Sequence, residues 1–111
     1  GFAARISGME NPKYEDNEAS FDELQARIAK TIAFLKSIDE KKVSGREARN
    51  IELTVGKRDL KFNGLDYLLQ FVIPNVYFHI TAAYAILRHN GVALGKNDYL
   101  GNIQREQKKA A

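Results

Sequence analysis

Residues 67–87 read YLLQFVIPNVYFHITAAYAIL, and these 21 residues carry no formal charge in a chain of which 28% is charged. Asp66 and Arg88 bracket the run. Its apolar residues recur at steps of three and four, which predicts a long helix over roughly residues 64–90. Its uncharged polar side chains would need hydrogen-bond partners in a bilayer, so we interpret the run as a buried helix of a soluble domain and not as a membrane span.

Pro74 lies inside this predicted helix. Proline has no backbone N–H, and its ring crowds the carbonyl four residues earlier, so we expect a kink near Gln70–Pro74. Gly91 suits a left-handed cap just after the helix, and Arg88 in the last turn complements the helix dipole.

Bulk composition restricts the class of protein. A chain of 111 residues predicts one domain, and the absence of cysteine excludes disulfides and thiol chemistry, which fits a cytoplasmic location. The net charge is +3, but basic residues are interspersed with acidic ones, as in DEKK at 39–42 and KRD at 57–59. That pattern is typical of a solvated surface and not of a nucleic-acid-binding face.

The remaining segments predict a set of short elements. The opening GFAARISG indicates the last turns of a helix capped by Gly8, so we expect residues upstream of this sequence. Residues 9–19 predict a polar loop, and Ser20 opens a helix to about residue 38 with a capping box and one apolar stripe. Residues 39–50 indicate a connection.

Two short alternations follow that connection. Residues 51–55 and 60–62 alternate apolar and polar side chains around the turn sequence GKRD, which predicts a small β-hairpin. A lone hairpin is marginal in water, so we expect it to cover a helix end.

His79 is the sharpest chemical candidate because it borders the predicted buried stripe. A histidine on the inner face of a bundle binds a metal when ligands converge from facing helices, but Asn75 and Ala83, one turn away on either side, are not strong ligands. A buried, hydrogen-bonded histidine is the alternative. Tyr67, Tyr77 and Tyr84 are possible partners or pocket walls, or simply core. The sequence contains no P-loop, HExxH or nucleophile-elbow motif.

The segments PKYEDNEASFDELQARIAKTIAFL and FNGLDYLLQFVIPNVYFHITAAYAILRHNGVALGKNDYLG resemble the DinB/YfiT-like superfamily, specifically a bacterial subfamily of unknown function. Most of the likeness is carried by Phe78-His79, Tyr84, Leu87–Gly91 and Asp98–Gly101. The resemblance implies an all-α, up-and-down four-helix bundle. It also implies that residues 1–101 are the C-terminal part of this bundle, with the hairpin before the last long helix and residues 102–111 as a polar tail.

The resemblance also implies what a metal site would need. A typical member binds a divalent metal through three histidines, one from the second helix and a pair spaced by four on the last helix. His79 matches the first of that pair, whereas Ala83 stands where the second should be. The upstream histidine is absent from this sequence.

We therefore expect a protein that binds a small ligand or a partner in a pocket around His79, with no cofactor; the lining residues would be Asn75, Tyr77, His79 and Tyr84. The alternative is a metal-dependent transferase or hydrolase, with His79 as a ligand to zinc, nickel or manganese or as a base. We also expect a homodimer, because the stripe over residues 21–38 would otherwise face solvent. Neither nucleic acid nor membrane is an expected partner.

Overall fold

The computed structural model describes residues 1–101, which are mostly helical with one two-stranded sheet. They divide into two units, Gly1–Ile73 and the described residues from Pro74 onward. The predicted polar tail, residues 102–111, lies outside the described residues. In chain order the elements are α1 (Phe2–Ser7), α2 (Phe21–Lys36), a 3₁₀ turn (Glu40–Lys42), β1 (Ile51–Val55), β2 (Arg58–Phe62), α3 (Gly64–Asp66), a π-helical segment (Tyr67–Val72), α4 (Ile73–His89) and α5 (Lys96–Leu100).

Tyr67 lies at the centre of the core of the first unit and is 1% exposed. Its ring centroid lies 5.6 Å from that of Phe2, 5.8 Å from that of Phe62 and 5.5 Å from that of Phe71. Arg5 Nη1 donates a hydrogen bond of 2.9 Å to its hydroxyl oxygen, so the buried phenol is satisfied. Tyr67 therefore has a structural role in the packing of this core.

The β-hairpin covers part of this core. β1 pairs antiparallel with β2, with Ile51 opposite Phe62. Ile51 is buried, and Leu53 and Phe62 pack against the same cluster, so the predicted hairpin is confirmed. β2 begins at Arg58, two residues before the predicted strand, because Gly56 at φ 62° and the residue after it complete the reversal.

The predicted end of α1 is confirmed. Gly8 adopts the left-handed conformation, with φ 74° and ψ 21°. The backbone N–H of Met9 donates to the carbonyl of Ala4 over 2.9 Å, which closes the helix end in the manner of a Schellman motif.

The predicted start of α2 is also confirmed. The hydroxyl oxygen of Ser20 accepts from the backbone N–H of Glu23 over 3.2 Å, and the Glu23 carboxylate accepts from the backbone N–H of Ala19 over 2.8 Å. The Ser20 hydroxyl also donates to the Glu23 carboxylate over 3.0 Å. The hydrogen bond from Ala19 most of all, and then those from Ser20, lower the pKa of the Glu23 carboxyl.

Residues 14–18, here called the strap, are tied to α2 by Arg27. Its guanidinium donates to Glu18 over 2.7 Å and to Asp16 over 2.6 Å, and its carbon lies 4.2 Å from the centre of the Tyr14 ring. The Thr31 hydroxyl donates to the Tyr14 hydroxyl over 3.3 Å. The predicted polar loop is thus confirmed as a loop, and these contacts hold its residues 14–18 against α2.

The apolar stripe of α2 is not its covered face. Arg27, Thr31 and Phe34 are half-buried, whereas Phe21 and Ile28 are exposed. At 100° per residue the half-buried face lies about a quarter turn from the centre of the stripe.

The helical run Gly64–His89 contains the predicted irregularity. A π-helical segment, Tyr67–Val72, directly precedes the turn with Pro74. The wider turn fits a sequence in which Pro74 supplies no N–H and crowds the preceding carbonyls. The irregular backbone is confirmed where the sequence predicted a kink.

The expectation that this run is buried is wrong for its α4 part, although Tyr67 at its start is buried. α4 contains no buried residue, because an apolar helix is covered only where another element packs along it, and helical period alone does not supply that element. The helical run Gly64–His89, of 26 residues, is long and apolar enough to cross a membrane by length and composition alone. A core helix of a soluble protein meets the same criterion.

Candidate functional site

The four candidate side chains lie on two opposite faces of α4. Asn75 and His79 are four residues apart and therefore about 40° apart around the helix, and Tyr77 and Tyr84 are about 20° apart. The two pairs are separated by roughly 140–180°. The structure places Asn75 and His79 one turn apart on one face and Tyr77 and Tyr84 two turns apart on the other, so it does not bring all four into one pocket.

His79 is an exposed imidazole on an apolar helix face. Val76 and Ala83 flank it at steps of three and four, and neither carries a polar side-chain atom. The Phe78 ring contacts the imidazole edge-on, with the ring centroids 5.4 Å apart. No side-chain hydrogen bond holds the imidazole within residues 1–101, so its two nitrogens are available to a ligand.

Asn75 adds an amide one turn before His79 on the same face. An imidazole and an amide together present hydrogen-bond donors and acceptors without adding a fixed charge. Ligand sites commonly combine an apolar lining with a few such polar groups. This face, defined by Asn75, Val76, His79 and Ala83, is called the histidine face below.

The opposite face of α4 is occupied by its own C-terminal segment. The rings of Tyr84 and Tyr99 meet edge to face at 5.7 Å, and the Thr81 and Tyr99 hydroxyls are 3.1 Å apart. Arg88 Nη1 donates to the Tyr84 hydroxyl and to the Leu94 carbonyl, each over 3.1 Å. Tyr84 therefore serves to anchor α5 and the loop before it.

Tyr77 lies in a different setting from Tyr84. It is exposed and lines a shallow depression of about 420 Å³ with Pro74, Phe78, Thr81, Ala82 and Ala85. The depression has an aromatic rim and a floor of small side chains. Its described lining does not include His79, so Tyr77 is not a wall of the histidine face.

The donor set does not fit the metal site that the superfamily resemblance implies. Among residues 1–101 no group of three histidine, cysteine or carboxylate side chains is placed to hold a metal ion. His79 has Ala83 one turn later, and His89 lies at the helix end, about 80° away around the axis. A metal at His79 would need ligands from outside the described residues.

Sequence reasoning missed two clusters. Arg27 joins Tyr14 and Glu18 to α2, and its sequence context does not distinguish it from the other basic residues. Tyr99 lies in the segment Asp98–Gly101 that carries the family resemblance, but its packing on Tyr84 was not predicted. A tyrosine and an arginine in separate segments give no periodic signal, so pairwise contacts of this kind are not visible in one sequence.

Comparison with known proteins places these features in a family context. The model of a domain of unknown function, DUF1993, matches residues 1–100. The crystal structure of a DinB family member protein from Shewanella denitrificans is 38% identical, with a TM-score of 0.80 over 96% of this chain. This chain spans 60% of the length of that protein. No curated protein matches.

Proposed function

The chain belongs to the DUF1993 family, and from this membership and the geometry of α4 we propose that it is a binding protein whose histidine face holds a small uncharged organic ligand. The observation that carries the proposal is the exposed, unbonded imidazole of His79 within an uncharged run. The predicted DinB-like resemblance is confirmed by the likeness to a DinB family member.

The chemistry of the ligand follows from the chemistry of the histidine face. Val76 and Ala83 supply apolar contact, while His79 and Asn75 supply directional hydrogen bonds. A charged ligand would lose hydration on a surface with no opposite charge, whereas a neutral ligand loses little. An apolar body bearing one amide or hydroxyl group therefore fits best.

The proposed site is narrower than the one predicted from the sequence. Tyr84 already bonds Arg88 and packs on Tyr99, and Tyr77 lies on the far side of the helix. We assign the ligand to Asn75 and His79 and give the two tyrosines no part in it.

The architecture supports the same proposal. The described chain is mostly helical and resembles a DinB family member, and a four-helix bundle, in which ligand sites form between facing helices, is part of the proposal. The likeness to a DinB family member also supports a water-soluble protein, and a cytoplasmic location is part of the proposal.

A ligand titration followed by NMR tests the proposal. The chain has two histidines, so the imidazole nitrogens of ¹⁵N-labelled protein give two distinguishable sets of signals. Benzamide is a suitable probe because it has an apolar ring and a neutral amide. We expect saturable shifts at His79 and none at His89.

Three results separate the alternatives. Equal shifts at both histidines, or no shift at millimolar benzamide and related neutral amides, would contradict the proposed site. Stoichiometric zinc, nickel or manganese in untagged protein that is released by His79→Ala would instead favour the metal-dependent alternative. The matched variant His89→Ala must leave both ligand binding and metal content unchanged.

A further inference from the structure

The strap lies against α2 without any backbone pairing. Within residues 1–101, no backbone–backbone hydrogen bond joins residues 14–18 to another segment. The β-hairpin and the ends of the helices, by contrast, are fixed by such bonds. Side chains alone therefore hold the strap in place.

Arg27 makes the closest contacts between α2 and the strap. Its guanidinium forms both ion pairs, with Glu18 over 2.7 Å and with Asp16 over 2.6 Å. The same group lies 4.2 Å from the centre of the Tyr14 ring. One side chain thus joins three strap residues to the helix, and a network of charges contributes more than an isolated surface pair.

Two further contacts to α2 reach only Tyr14. Lys30 Nζ lies 5.4 Å from the centre of the Tyr14 ring, and the Thr31 hydroxyl donates to the Tyr14 hydroxyl over 3.3 Å. The Thr31 hydroxyl also donates to the carbonyl of Arg27 over 2.9 Å. A threonine hydroxyl has a single proton, so the longer bond to Tyr14 is the weaker of the two.

Asp16 has a backbone conformation of higher energy. Its φ of 52° lies in the left-handed region, and within residues 1–101 it is the one non-glycine residue with a positive φ. Such a conformation costs energy for an L-residue and persists only where surrounding contacts hold it. The ion pair between Asp16 and Arg27 is a contact of this kind, although the Asp16 side chain is 78% exposed.

The strap and α2 are two walls of one cavity of about 390 Å³. Its lining comes from both segments and includes Lys13, Tyr14 and Glu18 on the loop side and Ala26, Arg27 and Lys30 on the helix side. Neither wall encloses the space alone. The position of the strap therefore decides whether this cavity exists.

We propose that the strap is a lid that opens and closes over α2 and that Arg27 is its single latch, independently of any ligand on the histidine face. When Arg27 releases both carboxylates, Asp16 leaves the left-handed conformation, residues 14–18 separate from α2 together, and the cavity is lost. Salt screens the exposed Asp16 pair more than the Glu18 pair, because the Glu18 side chain is only 18% exposed. The latch therefore loosens as the ionic strength rises.

Limited proteolysis measures the opening of the strap. Trypsin cleaves after lysine, so the Lys13–Tyr14 bond reports the strap, and the Lys57–Arg58 bond in the turn between β1 and β2 is an internal reference. Mass spectrometry gives the ratio of the two cleavage rates, which follows the population of the open strap. We expect Arg27→Gln to raise this ratio by about tenfold, because the variant loses the whole network.

Lys30→Gln is the matched control. It makes the same neutral replacement three residues later on α2, at the other cation beside the Tyr14 ring. Because Lys30 makes neither ion pair with the strap, the ratio should change by less than about twofold. Circular dichroism of each variant checks that α2 remains helical.

A double-mutant cycle and a salt titration test the latch itself. Glu18→Gln should raise the ratio in the wild-type protein and have no further effect in the Arg27→Gln variant, because its partner is then already lost. Raising the salt concentration from about 0.01 M to about 1 M shortens the screening length from about 30 Å to about 3 Å. The ratio should rise with salt in the wild-type protein and stay constant in Arg27→Gln.

Three results would overturn the proposal. Equal ratios for the wild-type protein and Arg27→Gln would show that other contacts hold the strap. A proportionate rise of both cleavage rates in Arg27→Gln would show that Arg27 stabilises the whole first unit and not the strap. An equal effect of Glu18→Gln in both backgrounds would reject Arg27 as the single latch.

Discussion

Replacing Gly64 with alanine is the sharpest test of how the first unit packs. Gly64 is buried at the start of α3. A Cβ atom there would overlap the carbonyl oxygen of Arg46 and would lie 2.7 Å from Cδ1 of Ile6. The first contact is with backbone, so it cannot be relieved by rotation of a side chain. Leu65 N–H also donates to the Glu47 carbonyl over 2.9 Å in the same place.

The expected magnitude follows from these contacts. Overpacking of this kind costs about 1–3 kcal/mol, and strain in the Leu65–Glu47 hydrogen bond adds about 0.5–1.5 kcal/mol. The better helix propensity of alanine offsets about 1 kcal/mol. We expect Gly64→Ala to lower the free energy of unfolding by about 2 kcal/mol.

Urea unfolding followed by circular dichroism measures this change. With a typical dependence of about 1–3 kcal/mol per molar urea, the midpoint should fall by roughly 1 M. Gly95→Ala is the matched control, because its φ of −126° suits alanine and the new Cβ would meet Asp98 at an ordinary 3.7 Å. Equal stability of the two variants would refute the close packing of Arg46 against Gly64.

Three further predictions concern the capping box, the core and acid stability. Ser20→Ala should cost about 1 kcal/mol in chemical unfolding through loss of the N-cap of α2, and no change would contradict the capping box. Tyr67→Phe should cost about 0.5–1.5 kcal/mol because Arg5 loses its hydrogen-bond acceptor, and unchanged stability would show that this bond contributes nothing. The pKa values of Glu18 and Glu23 are lowered, that of Glu18 chiefly by its hydrogen bond from Arg27. Their contribution to the stability of the fold is therefore present above the ordinary glutamate pKa of about 4.3 and is lost as the pH falls below it. Thermal melts at successive pH values should show this loss as a falling Tm. Glu23→Gln should reduce that fall.

Local signals in the sequence predicted local structure well. The capping box at Ser20, the left-handed Gly8 and the alternation in residues 51–55 each depend on neighbours within a few residues, so each was confirmed. The run at 67–87 predicted a long helix, and Pro74 predicted its irregular turn.

What the sequence could not predict depends on contacts between distant segments. Arg27 binds the strap 9 and 11 residues earlier, and Arg5 bonds Tyr67 across 62 positions. Periodicity shows which face of a helix is apolar but not whether another element covers that face. The apolar character of the α2 stripe and of α4 was therefore predicted correctly. The prediction that α4 is buried was wrong.

The candidate site was predicted only in part, because helical period shows which residues share a face but not what covers that face. The helical period shows that Asn75 and His79 share one face and that Tyr77 and Tyr84 share another. Only the packing of Tyr99 on Tyr84 shows that the second face is already engaged by the chain itself. The choice of His79 as the chemical centre stays a prediction.

Calorimetric affinity for benzamide in matched histidine variants tests the central claim most directly. A hydrogen bond from the imidazole is worth about 0.5–1.5 kcal/mol, so His79→Ala should weaken binding by roughly two- to tenfold while His89→Ala leaves it unchanged. Equal affinity of the wild-type protein and the His79→Ala variant would contradict a ligand site on the histidine face.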